Sequence, residues 1–233
     1  KFRAKKKGWD FNLTKEWLIP KIEKGECEVT KIKFSTSPLD NSPVHGSKNH
    51  IVNAWSPSLD RINPSKGYTI DNCRLVVRIY NTFKNYWSDK EVLIWAYGHL
   101  GIEQNIQLDI FESTDKLHNK KTKTKGLYDS MMLRVKKKKL NCTIDKNWIL
   151  NQLEKEKCSV TNIPFDWRRG TRNPKYVYPF SHSLDRINPE NGYTKSNSRI
   201  ISYIHNWGRQ NTDEGTVRKF AEKVIKSKSR MIF

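Results

Sequence analysis

The chain has 233 residues, with 44 Lys and Arg against 24 Asp and Glu, a formal net charge of +20. Basic residues run along the whole chain, interleaved with Trp, Tyr and Phe, which points to a folded binder of a polyanion and away from a disordered basic tail. Only 36% of residues are apolar, so the cores must be small, with eight Trp and nine Phe helping to fill them.

In chain order, the basic run Lys5, Lys6 and Lys7 comes first. Leu13, Trp17, Leu18 and Ile22 then share one helical face, with Thr14 as the N-cap and Pro20 as a possible kink. The segment around Ser58–Ile62 alternates and predicts a strand. Asn63 to Gly67 is turn chemistry, and Cys73–Val77 is short and β-branched, a second strand. A helix follows over residues 78–87. Ser88 to Glu91 reads as a capping box that opens a last helix through about His99. Residues 113–126 are polar and basic and read as a linker.

Beyond it the order repeats. Residues 58–74 (SLDRINPSKGYTIDNCR) and 183–199 (SLDRINPENGYTKSNSR) agree at 12 of 17 positions. Upstream, the stretch from Arg3 aligns without a gap on that from Arg134, matching Cys27 with Cys158 and Thr30 with Thr161. The run Lys136, Lys137, Lys138 falls opposite the first basic run, Ile144, Trp148, Ile149 and Leu153 form the matching helical face, and Asp145 stands for Thr14. The first copy holds the longer loop before its strand. A duplication of this kind sets two domains, 1–112 and 127–233.

Four cysteines, Cys27, Cys73, Cys142 and Cys158, include no C-x-x-C pair, which argues against a zinc ribbon and a disulfide framework. No signal-peptide pattern or bilayer-length apolar run is present. A soluble protein of the bacterial or phage-infected cytoplasm is expected, with no membrane partner and no small-molecule cofactor.

The duplicated positions carry the chemistry. Asp60 with Asn81, and Asp185 with Asn206, have identical spacing. A strand carboxylate and a helix amide can jointly hold one hard cation, leaving the remaining coordination to water and phosphate. Such a cation would neutralise charge at a scissile phosphate. Lys84 and Arg209, three residues past each Asn, lie on about the same helix face, and a phosphate contact weighs evenly against a solvated charge. Arg168 and Arg169 add charge to the second copy's intervening segment.

The S-L-D-R-I-N-P-x-x-G-Y-T-x-x-N-x-R block resembles the HNH (His-Me finger, ββα-metal) endonuclease family, in both halves and including the C-x-x-T segments. The resemblance implies an α+β fold of two tandem ββα-metal modules, each with a preceding helix and a C-terminal helix. It implies Asp60, Asn81, Asp185 and Asn206 as ligands of Mg²⁺ or Mn²⁺, one ion per module, and Asn72 and Asn197 as the residues that order the hairpin. One departure stands out. The family's general base is a His directly after the metal-binding Asp, and here that position is Arg61 and Arg186. Arginine stays protonated and is a poor base, so these residues are expected to grip phosphate, or else to ion-pair with the neighbouring Asp. The base is then bulk water, a metal-bound hydroxide or another residue. No His occupies the same place in both copies.

The expected activity is metal-dependent hydrolysis of double-stranded DNA. The modules would act as a monomeric pseudodimer, each cutting one strand, at an asymmetric site of the homing type. Lys5, Lys6, Lys7, Lys136, Lys137, Lys138, Lys84, Arg209, Arg168 and Arg169 are the expected DNA contacts. The rival readings are a DNA-binding protein that has lost catalysis, an RNA-directed protein, and a nickase with one active module.

Overall fold

The computed structural model describes residues 1–35, 53–103, 116–172 and 175–232. The chain is mixed α and β, with its strands in small two-stranded antiparallel sheets. Helices α1 (Phe2–Lys7) and α2 (Lys15–Glu23) precede the hairpin of β1 (Pro57–Arg61) and β2 (Cys73–Val77); α3 (Arg78–Lys84) and α4 (Asp89–Leu100) follow it. The second copy runs through α5 (Lys116–Lys138), α6 (Lys146–Leu153), the short hairpin β3 (Thr171–Arg172) and β4 (Lys175–Tyr176), the hairpin β5 (His182–Arg186) and β6 (Ser198–Ser202), α7 (Tyr203–Arg209) and α8 (Glu214–Lys226). The paired hairpins have the same register: Asp60 stands opposite Arg74, and Asp185 opposite Arg199.

Local chemistry explains the elements. The Thr14 hydroxyl accepts from Trp17 N at 3.2 Å, and the Asp145 carboxylate from Trp148 N at 2.7 Å, so both predicted caps start their helices. Glu91 accepts from Ser88 N at 2.8 Å, closing the predicted capping box of α4. In each C-x-x-T segment the thiol accepts a backbone N–H, Thr30 N at 3.3 Å and Thr161 N at 3.4 Å, and both cysteines are buried.

The backbone repeats even where it is strained. Left-handed residues recur at matched places: Gly8 and Lys139, Gly25 and Glu156, Lys31 and Asn162, Asn85 and Gln210. A Cβ on Gly67 or Gly192 would collide with the backbone of Asp10 or Asn141 respectively, which is why each P-x-x-G-Y turn ends in glycine.

Two expectations change. Helix α2 buries none of its residues: Ile22 is 47% exposed and Trp17 only half-buried, with the Lys21 ammonium over its ring at 4.7 Å. Its counterpart α6 does bury Ile149 and Leu153, because the apolar face of α5 (Leu127, Tyr128, Met131, Met132, Val135) packs onto that core. The stretch expected as a linker is helical from Lys116 onward, and Thr124 within it is buried.

The chain folds as two compact units, residues 1–96 with 208–233 and residues 97–207. The last helix of the second copy is therefore part of the first unit. There Phe220 of α8 packs on Phe83 (ring centroids 5.2 Å), Trp95 (5.8 Å) and Tyr80 (6.2 Å). Val217, Phe220, Ala221 and Val224 are fully buried, each large apolar side chain contributing about 1.5–3 kcal/mol. No described helix is long and apolar enough to cross a membrane.

Candidate metal and phosphate site

In each copy the strand that bears the Asp also receives the amide of the following helix. Asp60 is the fourth residue of β1 and is 1% exposed; Asp185 holds the same place in β5 and is 6% exposed. Helix α3 starts directly after β2 and lays Asn81 against β1. The Asn81 Nδ2 donates to Ser58 Oγ at 2.8 Å and to the Leu59 carbonyl at 3.0 Å. In the second copy the Asn206 Nδ2 donates to Ser183 Oγ at 2.8 Å and to the Leu184 carbonyl at 3.4 Å. A carbonyl can only accept, so the amide nitrogen is fixed on the strand and Oδ1 is the atom left to ligate.

The middle asparagines hold the turns. Asn72 accepts from Asn63 N at 2.9 Å and donates to the carbonyls of Asn63 (3.1 Å) and Gly67 (2.8 Å). Asn197 accepts from Asn188 N at 2.9 Å and donates to Asn188 (3.0 Å) and Gly192 (2.8 Å). One buried side chain thus ties both ends of the loop between the strands.

The ion-pair partner of Asp60 is not Arg61. Arg74 Nε donates to Asp60 Oδ2 at 2.9 Å, and its two terminal nitrogens donate to Asp89 at 2.8 and 2.5 Å. Asp89 also accepts from the Tyr80 hydroxyl at 2.6 Å and from Ile232 N at 3.0 Å. Arg199 makes the matching bond to Asp185 at 2.8 Å. Arg74 and Arg199 were visible in the sequence as the last identical position of the block. What that position could not reveal is that a residue 14 places along the chain stands opposite the Asp across the hairpin.

Lys84 is neither a solvated charge nor exposed to a phosphate. It is 1% exposed; its ammonium donates to the Arg61 carbonyl at 2.8 Å and lies 3.3 Å from Asp60 Oδ1. Arg209 is also buried, 5% exposed, with Nε 3.9 Å from Glu214. Burial pushes the Asp60 carboxyl up, against the Lys84 and Arg74 charges, and pushes the Lys84 ammonium down against Asp60. Asp89 is held low because its bonds to Arg74 outweigh its burial.

Arg61 is turned to the hairpin. It donates to the Lys66 carbonyl at 2.8 Å, and its guanidinium lies over Trp9 (4.0 Å) and Tyr68 (4.9 Å). Arg186 donates to the Asn191 carbonyl at 2.9 Å and lies over Tyr193 at 5.1 Å. Arg168 anchors the second copy's extra hairpin: it forks onto Asp166, 1% exposed, and lies over Tyr178 at 4.2 Å. Arg169 is exposed, as are Lys5, Lys6 and Lys7 at the end of α1 and Lys136, Lys137 and Lys138 at the end of α5. Those two runs also suit the helix dipole, which favours cations at a C-terminus.

His182 is a core residue. It stacks on Trp167 (5.3 Å, 24°), and burial, with Lys123 nearby, pushes it down to about 3.

The donor set suits a hard divalent cation in kind, being one carboxylate and one amide oxygen per copy. Among the described residues no group of three or more His, Cys, Asp or Glu forms a cage, so water and phosphate would have to complete the shell. At Asp60 both carboxylate oxygens already meet a cation, so ligation there must displace the longer contact, that of Lys84. Compared with protein-family models, with curated proteins and with solved structures, the chain matches none.

Proposed function

We propose that the chain is a metal-dependent DNA endonuclease of the HNH type, with two ββα-metal modules in one polypeptide. One observation carries the reading: the helix Asn nitrogen is bonded to the strand that bears the Asp, at the same two positions in each copy. Asp60 with Asn81 and Asp185 with Asn206 would hold Mg²⁺ or Mn²⁺. The ion would neutralise charge on the scissile phosphate and its leaving oxygen. Asn72 and Asn197 hold the turns, and Arg61 and Arg186 brace them, so the strand carboxylate is presented on a fixed hairpin. The proton of the attacking water does not pass to the residue after the Asp, because arginine there stays charged. With one strand cut per module, the chain acts as a monomeric pseudodimer on duplex DNA. The differing segments between Phe34 and Asp60 and between Phe165 and Asp185 would supply an asymmetric site; residues 36–52 of the first lie outside the described residues.

A second reading has an observation in its favour. Asp60 is closed in by Arg74 and Lys84 at 1% exposure, as suits a DNA-binding scaffold that has lost catalysis in its first copy or in both. Nicking of supercoiled plasmid with Mg²⁺, for the wild type against Asp60→Ala plus Asp185→Ala, separates the two. Metal-dependent nicking lost in the double variant supports the nuclease. DNA binding without any nicking supports the scaffold.

A further inference from the structure

In both copies the helix ahead of the module reaches the tyrosine of the G-Y-T turn. Arg3 Nη1 lies 3.5 Å from the Tyr68 hydroxyl, and Arg134 Nη1 lies 3.5 Å from the Tyr193 hydroxyl. The other arginine of each pair covers the same ring from its face, Arg61 at 4.9 Å and Arg186 at 5.1 Å. Each tyrosine is therefore bracketed by two guanidinium groups, one on its hydroxyl and one on its ring. The pattern recurs although the helices that deliver it differ in length, six residues in α1 and 23 in α5.

Two like charges gathered on one aromatic residue repel each other. Among the described residues no carboxylate pairs with Arg3, Arg61 or Arg134, while the buried aspartates bond to other arginines, Asp60 and Asp89 to Arg74, Asp166 to Arg168 and Asp185 to Arg199. Arg3 and Arg134 are exposed, and Arg61 is half-buried. Of the five N–H donors of Arg61, one of the two on Nη1 is bonded to Lys66 O, and the ring contacts with Trp9 and Tyr68 fix the plane of the guanidinium. The exposed lysines of each helix end continue the charge, Lys5 to Lys7 beyond Arg3 and Lys136 to Lys138 beyond Arg134.

We infer that Arg3 with Arg61, and Arg134 with Arg186, form two equivalent grips for backbone phosphates of duplex DNA, one on the hairpin of each module. The inference rests on the DNA-cleaving reading and adds the residues that seat the strand. A phosphate oxygen accepts from the outer arginine and from the braced one, and the tyrosine sets the distance between them. The grip positions the backbone without reading sequence.

The test is binding of a labelled duplex in EDTA across a salt series, with the full-length chain. The variants are Arg3→Ala, Arg134→Ala and the double, with Arg3→Lys and Arg134→Lys alongside. Arg61 and Arg186 are left intact because they also brace the turns. Each alanine should weaken binding roughly tenfold at low salt and lower the slope of log Kd against log salt by about one, the double by about two, at unchanged Tm. Each lysine variant should keep most of the slope. Alanine variants with wild-type Kd and slope, in a chain that binds and nicks DNA, overturn the grip and leave the nuclease standing. A wild-type chain that binds no duplex DNA, or binds duplex RNA with the same slope and more tightly, overturns both.

Discussion

At Asp60 the carboxylate is shut behind Arg74 and Lys84, and Arg74 runs on to Asp89 and Tyr80 in one buried network. In the second copy Arg199 makes the same bond to Asp185, yet its side chain is 16% exposed against 7% for Arg74. The two sites share backbone, register and hairpin asparagine, and differ in how deeply the charges around the Asp are buried. Duplication thus preserves what the hairpin geometry demands and lets the packing around it drift.

The largest effect that separates the copies is on stability. Asp60→Ala leaves the buried Lys84 charge without its carboxylate and takes from Arg74 one of its two, Asp89 remaining, and should cost about 3–5 kcal/mol in urea denaturation. Asp185→Ala should cost less, because Arg199 retains more contact with water. Equal losses would mean that the two networks are equally closed.

A second difference is a buried histidine that the second copy has and the first lacks at the matching place. His182 is pushed down to about 3 in the fold and takes the place of Pro57. Below its ordinary value near 6.5 the unfolded chain binds a proton that the folded chain refuses, so stability falls as pH drops from there towards 3. The His182 share of that loss should reach roughly 2 kcal/mol by pH 5. Comparing urea midpoints at pH 7 and pH 5 for the wild type and His182→Leu isolates it; an identical pH dependence in the two proteins contradicts the account.

Lys84 tests the first site directly. If metal at Asp60 must displace its ammonium, Lys84→Met should tighten Mn²⁺ binding, followed by electron paramagnetic resonance, by about tenfold or more. Unchanged affinity would mean that Asp60 takes no ion. The smallest effect concerns the backbone. Glu156 sits at φ 58° where the first copy has Gly25 at 68°, so Glu156→Gly should stabilise by up to about 1 kcal/mol in thermal unfolding. A loss of stability there would show that the side chain's contacts outweigh the strain.

Much of this was legible in the sequence because it depends on short-range backbone demands. Thr14, Asp145 and Ser88 cap helices, and Asn72 and Asn197 tie turns; each acts within its own turn or hairpin, whereas Gly67 and Gly192 admit the distant backbone of Asp10 and Asn141. The Asp–Asn pairs were legible because the copies repeat their spacing. What the sequence hid is paired at a distance. Arg74 is only the last identical position of the repeated block in the sequence, and its bond to Asp60 depends on strand register. Lys84 read equally as a phosphate contact or a solvated charge, since lysine is rarely buried unless it is paired. The first half of α5 has a linker's composition, and its helix follows from the apolar stripe further along, Leu127 to Val135. That α8 completes the first unit is a choice between two matching copies that neither copy's sequence states.

The proposal that both copies are working metal sites is best tested by product form. Supercoiled plasmid with Mg²⁺ should be linearised by the wild type and only nicked by Asn81→Ala or by Asn206→Ala, two half-buried positions whose loss should leave circular dichroism unchanged. The double variant should do neither. Linear product from Asn81→Ala at the wild-type rate would contradict the account, since the first copy would then be a scaffold and the second would cut both strands.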